Sequence, residues 1–99
     1  MPVAKCLFLP GRLAITTAAF DVIDDSGQDP MFFIEMHLTG EWGQLDRHDW
    51  HENLVALKTG ARLLSKYKTL KGEDIYIITE AVGEDGKRPS TTILLPKEY

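Results

Sequence analysis

About a third of the chain consists of three apolar-rich segments that alternate with two turn-forming stretches. ARLLSKY, DIYIITE and STTILL are the apolar segments, and KTLKGE and AVGEDGKRP separate them. Runs of this length, bounded by glycine-containing polar stretches, are typical of strands joined by hairpins. The sequence therefore predicts a three-strand antiparallel meander near the C-terminal end, and the other elements must pack around it.

Polar side chains are frequent at the strand positions of this meander. In the middle segment, residues 75, 77 and 79 alternate with residues 76, 78 and 80, and apolar groups fall on both faces. Such a pattern is typical of a central strand. An ordinary core sheet does not need so many polar strand residues, so they are candidates for function. They are Arg62, Tyr67, Thr79, Glu80, Thr91 and Thr92.

The first 40 residues predict two strands and two short helices. Residues 3–9 alternate weakly and indicate a first strand, and residues 13–16 a short second one. Thr17 is the predicted N-cap of a brief helix that extends to residue 25. Asp29 followed by proline indicates the start of a second helix over residues 31–38, which Gly40 ends.

A third helix is predicted between Asp46 and Gly60. Asp46 is the expected N-cap, and glycine suits the position that follows the helix. Trp50, Leu54 and Leu57 recur at the spacing of one helix face and predict a buried stripe. Helices that precede an antiparallel sheet indicate an α+β fold: two to three helices packed on an antiparallel sheet with a C-terminal three-strand meander, in a single domain over residues 1–99.

The location of the chain is predicted from what the sequence lacks. No apolar run is long enough for a membrane span, and the start of the chain has no signal-peptide pattern. The single cysteine, Cys6, is predicted to be a small buried thiol and cannot form an internal disulfide. We therefore expect a cytoplasmic protein that does not associate with membranes, as a monomer or a homodimer.

Charge is distributed unevenly along the chain. Residues 21–52 contain nine acidic side chains and Arg47 as the single basic one, whereas residues 53–99 contain eight basic and six acidic side chains. Such asymmetry can create oppositely charged faces that steer a charged partner. The alternative is a solvated acidic surface that keeps the protein dissolved.

Five residues are candidates for acid–base or phosphate chemistry. His37 can exchange protons near neutral pH, and Arg62 can stabilise phosphate charge. Tyr67, Glu80 and Thr92 would position a substrate. A histidine on an apolar helix is more commonly a packed core residue, and Glu80 is more commonly one half of a structural ion pair, so both alternatives stay open.

Two further groups of side chains allow more than one interpretation. Arg62 and Lys66 fall on the same strand face, where they could hold a phosphate or carboxylate, or protect an edge strand against aggregation. His48 and His51 are three residues apart beside Glu52, but the sequence signals no third ligand. We predict no metal site and no cofactor.

Four segments, HLTGEWG, RLLSKY, IYIITE and TTILLPKEY, carry a resemblance. Through them, residues 33–99 resemble a family of small, uncharacterised proteins from bacterial plasmids and prophages. Some members carry the label of a type I restriction subunit, and no function is established for the family. The chain departs from the family pattern at Glu41, where aspartate is usual, and in an expanded loop over residues 82–89 that replaces a compact Asp-Arg turn. Asp85 and Arg88 are the candidates for that pair. The family-like positions are His37, Gly40, Trp42, Gly43, Asp49, Asn53, Arg62, Ser65, Tyr67, Thr79, Glu80, Thr91, Thr92, Pro96 and Tyr99.

Three functions are consistent with these patterns. The first is a non-enzymatic accessory protein of a mobile element, which docks its acidic segment on a basic protein and inhibits or modulates a host or defence system. Its predicted partner-binding residues are Glu41, Trp42, Asp46, Asp49 and Glu52. The second is a metal-independent ribonuclease of the barnase, colicin and RelE-like type, with nucleic acid as substrate. The third is a structural or dimerisation module that pairs through residues 3–9 or 91–95.

Overall fold

A computed structural model describes residues 5–99, in which three helices lie on one face of a four-stranded sheet. None of its helices is long and apolar enough to cross a bilayer. The elements are β1 (Arg12–Ile15), α1 (Thr17–Asp25), α2 (Pro30–Leu38), α3 (Arg47–Thr59), β2 (Leu63–Lys68), β3 (Asp74–Thr79), β4 (Ser90–Leu94) and a 3-10 turn (Pro96–Glu98).

The sheet has the strand order β1-β4-β3-β2. β2 pairs with β3 and β3 with β4 in antiparallel fashion, which confirms the meander, the central position of β3 and the α+β class. The sheet is mixed rather than wholly antiparallel, because β1 pairs with β4 in parallel. The meander leaves the outer edge of β4 unpaired, and β1 supplies the hydrogen-bonding partners that this edge requires.

Side-chain oxygens cap all three helices. Thr16 Oγ1 accepts from the backbone N–H of Ala19 at 3.1 Å, so the first cap lies one residue before the predicted Thr17. Asp29 and Asp46 are the caps of α2 and α3, as predicted. The short polar side chains of these residues can satisfy helix N–H groups that have no partner within the helix.

The core lies between the helices and one face of the sheet. Ala19 and Ile23 of α1, together with Phe33 of α2, pack against the sheet residues Ile77 and Ile93. A second cluster joins Trp42 to α3 and β2. α2 is at the centre of this layer, because it buries His37 as well as three apolar residues.

The buried face of α3 differs from the predicted stripe. Asn53 and Ala56 are buried, Trp50 and Leu57 are half-buried, and Leu54 is 49% exposed. The reason is a reciprocal contact: the Asn53 side chain donates to the backbone oxygen of Leu64 at 2.6 Å and accepts from its N–H at 3.1 Å. This pairing holds α3 rotated toward β2, which moves Leu54 to the surface.

Two predictions near the start of the chain are wrong for the residues that the structure describes. Residues 5–9 do not form a strand, and residues 3 and 4 lie outside the described part of the chain. The backbone N–H of Leu7 donates instead to the carbonyl of Leu38 at 2.8 Å, at the end of α2. Cys6 is exposed, not buried. Pairing between chains through residues 91–95 is not open to this fold, since β4 already has a strand on each side.

The outer edge of β2 is covered by the loop after α2. Lys66 N donates to the Trp42 carbonyl at 3.1 Å, and Gln44 N donates to the Lys66 carbonyl at 2.7 Å. Gly43 lies between these two bonds with a φ of +78°. A Cβ at this position would overlap the Lys66 carbonyl and lie 2.7 Å from the Tyr67 ring. Only glycine therefore lets the loop approach β2 this closely.

We expect Gly43→Ala to lower the free energy of unfolding by at least about 3 kcal/mol, since it adds steric overlap to the strain of a left-handed alanine. Gly72→Ala is the matched control, because Gly72 has a φ of +87° and a Cβ added there would meet no atom within 4 Å. It should cost only about 1–2 kcal/mol. Urea denaturation of the two variants measures the difference, and equal losses would contradict the close approach at Gly43.

Candidate functional site

A chain of hydrogen-bonded polar side chains crosses the interface between α2 and the sheet. His37 Nδ1 bonds to Ser65 Oγ of β2, and His37 Nε2 lies 2.8 Å from Thr79 Oγ1 of β3. Thr79 Oγ1 lies 2.7 Å from Thr91 Oγ1 of β4, which donates to the Pro10 carbonyl at 2.8 Å. The four side chains of this buried polar chain are fully buried. It connects α2 to the three strands of the meander.

The carbonyl of Pro10 sets the direction of every hydrogen bond in this chain. A carbonyl only accepts, so the single hydroxyl proton of Thr91 points to Pro10 and Thr91 must accept from Thr79. Thr79 then has no proton left for His37, so His37 Nε2 carries a hydrogen and donates to Thr79. Because burial keeps the imidazole neutral, Nδ1 carries no hydrogen and accepts from Ser65 Oγ, so the ring is the Nε2–H tautomer.

Burial keeps His37 neutral. Removal from water lowers the pKa of His37 from 6.5 to about 4. Among residues 5–99, no carboxylate pairs with the ring, and Phe8 packs edge-on against it with the ring centroids 5.3 Å apart. Both nitrogens are occupied by hydroxyl groups, so the imidazole has no free position for a substrate. These contacts are those of a structural histidine.

Two more side chains fix the backbone around His37. Trp42 Nε1 donates to the His37 carbonyl at 3.1 Å, and Tyr67 Oη donates to the Glu41 carbonyl at 2.6 Å. Burial also raises the pKa of Tyr67, which stays protonated. In the described part of the chain, no buried side-chain nitrogen or oxygen lacks a hydrogen-bond partner. The cluster is therefore a closed, satisfied network and not an open reactive pocket.

The structure divides the five predicted catalytic residues between the two faces of the sheet. His37 and Tyr67 lie in the buried layer on the helix side. Thr92 lies on the opposite face of β4, and Arg62 and Glu80 lie at the ends of strands with exposed side chains. The sheet separates the first pair from the other three. No single surface of the described residues presents all five.

Glu80 forms no ion pair with another residue in the range 5–99, so the structural ion pair that we weighed for it is absent there. Arg62 donates instead to Tyr99 Oη at 2.7 Å. Arg88 donates to three backbone carbonyls, those of Ala56, Ala61 and Glu80, at 2.7 to 3.1 Å. These bonds attach the 82–89 loop to the end of α3. Asp85 accepts from the backbone N–H of Lys87 at 3.0 Å and is not paired with Arg88.

Four of the five predicted partner-binding residues lie at the surface on the helix side. Glu41, Asp46 and Glu52 are exposed, and Asp49 is half-buried. Trp42 is the exception: it is 1% exposed and belongs to the second core cluster. Its prediction as a partner-binding residue is wrong, because its indole packs beneath α3 and its N–H is used by the His37 carbonyl.

A shallow apolar groove beside α3 was not predicted from the sequence. Leu45, Trp50 and Leu54 line it, together with Asp46, Arg47 and His51. At 3.6 residues per turn, Leu54 and Glu52 fall on opposite flanks of the buried Asn53. The exposed surface of α3 therefore runs from an apolar flank to an acidic one. The spacing of Trp50 and Leu54 indicated an apolar face on α3, but we interpreted that face as fully buried.

The histidines of α3 lie at the surface. His48 Nε2 lies 3.6 Å from Glu52 Oε1, and both side chains are largely exposed. Between residues 5 and 99, no group of three or more potential ligands lies close enough to hold a metal ion.

Comparison with known proteins adds no functional assignment. No family model, no curated protein and no solved structure matches the chain. The resemblance to the plasmid and prophage family therefore stays a prediction, and the site is interpreted from its own geometry.

Stability should depend on pH through His37. As the pH is lowered below 6.5, the unfolded chain binds a proton at His37, whereas the folded protein binds it only near pH 4. The free energy of unfolding therefore decreases as the pH falls from 6.5 to about 4. The shift corresponds to a loss of about 3 kcal/mol. Urea unfolding at several pH values measures it. The loss of stability should be smaller in His37→Gln and unchanged in His51→Gln. If NMR showed that His37 titrates near pH 6.5 in the folded protein, the prediction would be wrong.

The tautomer of His37 is a second testable consequence. Nitrogen-15 NMR of the imidazole should show hydrogen on Nε2. Thr91→Val removes the group that orients Thr79, so it should shift population toward the Nδ1–H form. Thr92→Val, the neighbouring residue on the other sheet face, should leave the tautomer unchanged. A wild-type spectrum dominated by Nδ1–H would show that Pro10 does not set the direction of the chain.

Proposed function

We propose that this chain is a non-enzymatic accessory protein of a mobile element, which acts in the bacterial cytoplasm by docking its acidic helical side on a basic protein and so modulates a host or defence system. The observation that supports this proposal best is the exposure of its acidic side chains. The resemblance to plasmid and prophage proteins supports the setting in a mobile element.

The acids of residues 21–52 are poorly neutralised within the protein. Eight of the nine are exposed, and only Asp49 is half-buried. Among the described residues, Lys71 pairs with Asp25 at 3.2 Å, and His48 contacts Glu52. The other seven acids form no ion pair there. An array of uncompensated charge raises the association rate and the specificity for a partner of opposite sign.

The exposed surface of α3 adds apolar contact area to this charge. Leu54 is 49% exposed and Val55 39% exposed, and Leu54 lines the groove beside the helix. Protein interfaces commonly have an apolar centre, often with a tryptophan, and a polar rim. Trp50 is half-buried at the edge of this surface. The combination suits a protein surface with basic side chains around an apolar centre.

The ribonuclease alternative receives less support from the geometry. It requires an accessible general base close to cationic side chains. His37 is fully buried and has both nitrogens occupied, and the sheet lies between it and Arg62. The helix side above His37 is acidic, which disfavours the approach of a phosphate backbone.

We test the proposal by charge reversal on α3 and the loop before it. The wild-type chain is immobilised, partners are captured at low salt, and a captured basic protein is purified for binding measurements. Glu41→Lys/Glu52→Lys should weaken its binding at least about tenfold, in line with losses at charged contacts. Asp46 and Asp49 are left intact because Asp46 caps α3 through the Asp49 N–H.

The matched control is Glu73→Lys/Glu84→Lys, which makes the same two substitutions at exposed acids outside residues 21–52. It should bind the partner nearly as tightly as the wild type does. Equal weakening by both variants would show that only net charge matters. Unchanged binding after reversal of Glu41 and Glu52 would exclude this docking surface.

A further inference from the structure

The sheet face opposite the helices carries a layer of cations and aromatic rings in mutual contact. The Arg62 guanidinium carbon lies 5.6 Å from the centroid of the Tyr99 ring, and Nη2 donates to Tyr99 Oη at 2.7 Å. The Tyr99 and Tyr76 rings meet edge to face at 5.8 Å. Lys66 Nζ lies 6.0 Å from the Tyr76 centroid. We call this face the open sheet face, defined by these four residues with Arg12 and Thr92.

The open sheet face is accessible. Tyr99 is 63% exposed, Arg62 is exposed, and Lys66 and Tyr76 are half-buried. The helices that the structure describes all pack on the other side. A planar ligand can therefore reach the Tyr99 ring without any movement of the core.

Strand register extends this face across all four strands. Lys66 is paired with Tyr76 across β2 and β3, and Thr92 of β4 is paired with Ala14 of β1. Arg12 lies on the same side as Ala14 by alternation and is exposed. At about 4.8 Å between strands, the edge cations Arg62 and Arg12 lie about 14 Å apart across the sheet, with Glu80 and Ser90 between them. The Tyr76 ring lies farther along β3, in the row of Lys66.

Two acidic groups, Asp74 and Glu80, share this face with the cations. Asp74 is paired with Lys68 at 2.8 Å, so these two charges offset one another. Glu80 follows β3 and is opposite Arg62, one step beyond the Leu63–Thr79 pair. It forms no ion pair within residues 5–99. Its carboxylate therefore opposes the binding of an anion next to Arg62.

We propose that the open sheet face binds single-stranded nucleic acid. Bases stack on Tyr99 and Tyr76, and Arg62, Lys66 and Arg12 contact the phosphates. Exposed aromatic residues on a sheet, flanked by basic side chains, are the chemistry by which proteins hold unpaired bases. Cations in contact with the rings also favour a ligand that is both anionic and planar. The site goes beyond the proposed docking function and lies on the opposite side of the molecule.

Fluorescence anisotropy with the full chain tests the proposal. The probes are a labelled short oligouridine and the matching oligodeoxythymidine, at low ionic strength. Binding should weaken at least about tenfold in Tyr99→Ala, as expected for the loss of base stacking. Tyr99→Phe keeps the ring and should bind nearly as the wild type does. Arg62→Ala should weaken binding, and Glu80→Gln should strengthen it.

Lys71→Ala is the charge control, because Lys71 lies near α1 and pairs with Asp25. It should leave affinity unchanged. Equal affinity for the two probes would indicate recognition of bases and phosphates. A preference for oligouridine would indicate additional contacts to the 2′-hydroxyl. Either result supports the site. Absence of binding by the wild type, or full binding by Tyr99→Ala, would overturn it. Glu41→Lys/Glu52→Lys separates the two proposals, since it should weaken protein docking but preserve the dependence of nucleic-acid binding on Tyr99.

Discussion

The fold depends on the way in which one buried histidine is satisfied. His37 lies at the centre of the helix layer, and an unpaired imidazole there would cost a large part of the stability of a small domain. Ser65 and Thr79 occupy both of its nitrogens, and Thr91 passes the hydrogen-bond chain on to the Pro10 carbonyl. Because each member has only one proton to donate, the chain has a single consistent direction. It therefore specifies how α2 sits on the meander.

The two-layer architecture also separates charge. Residues 21–52, which include α2, most of α1 and the start of α3, contain nine of the 15 acids, whereas Arg62 and Lys66 project from the sheet face opposite the helices. Charges that are already unevenly distributed along the chain are thus placed on two sides of one molecule. The two proposed surfaces, the acidic one on α3 and the cationic, aromatic one around Tyr99, therefore lie on opposite sides of the molecule.

Much of the fold follows from local patterns. The meander, the caps Asp29 and Asp46 and the end of α3 at Gly60 were predictable, because turn residues and cap oxygens act over three or four residues. The site was predicted only as a set of unusual polar residues. Leu54 was misplaced because Asn53, a polar residue, is the one that α3 buries. The spacing of apolar residues does not predict that an amide side chain will form hydrogen bonds with the backbone of β2.

The sequence by itself determined the elements, the meander and the unequal distribution of charge, since each depends on neighbouring residues and on period. The tertiary structure alone decided that His37 and Tyr67 are buried while Arg62, Glu80 and Thr92 lie on the other face. It also decided that β1 joins β4 in parallel and that Tyr99 meets Arg62. These contacts join residues that are far apart in the chain. Each residue has several chemically compatible partners, and the packing of the whole core decides which of them it contacts. The physical reason is that a hydroxyl or a cation has many possible partners along the sequence but only a few within reach after folding.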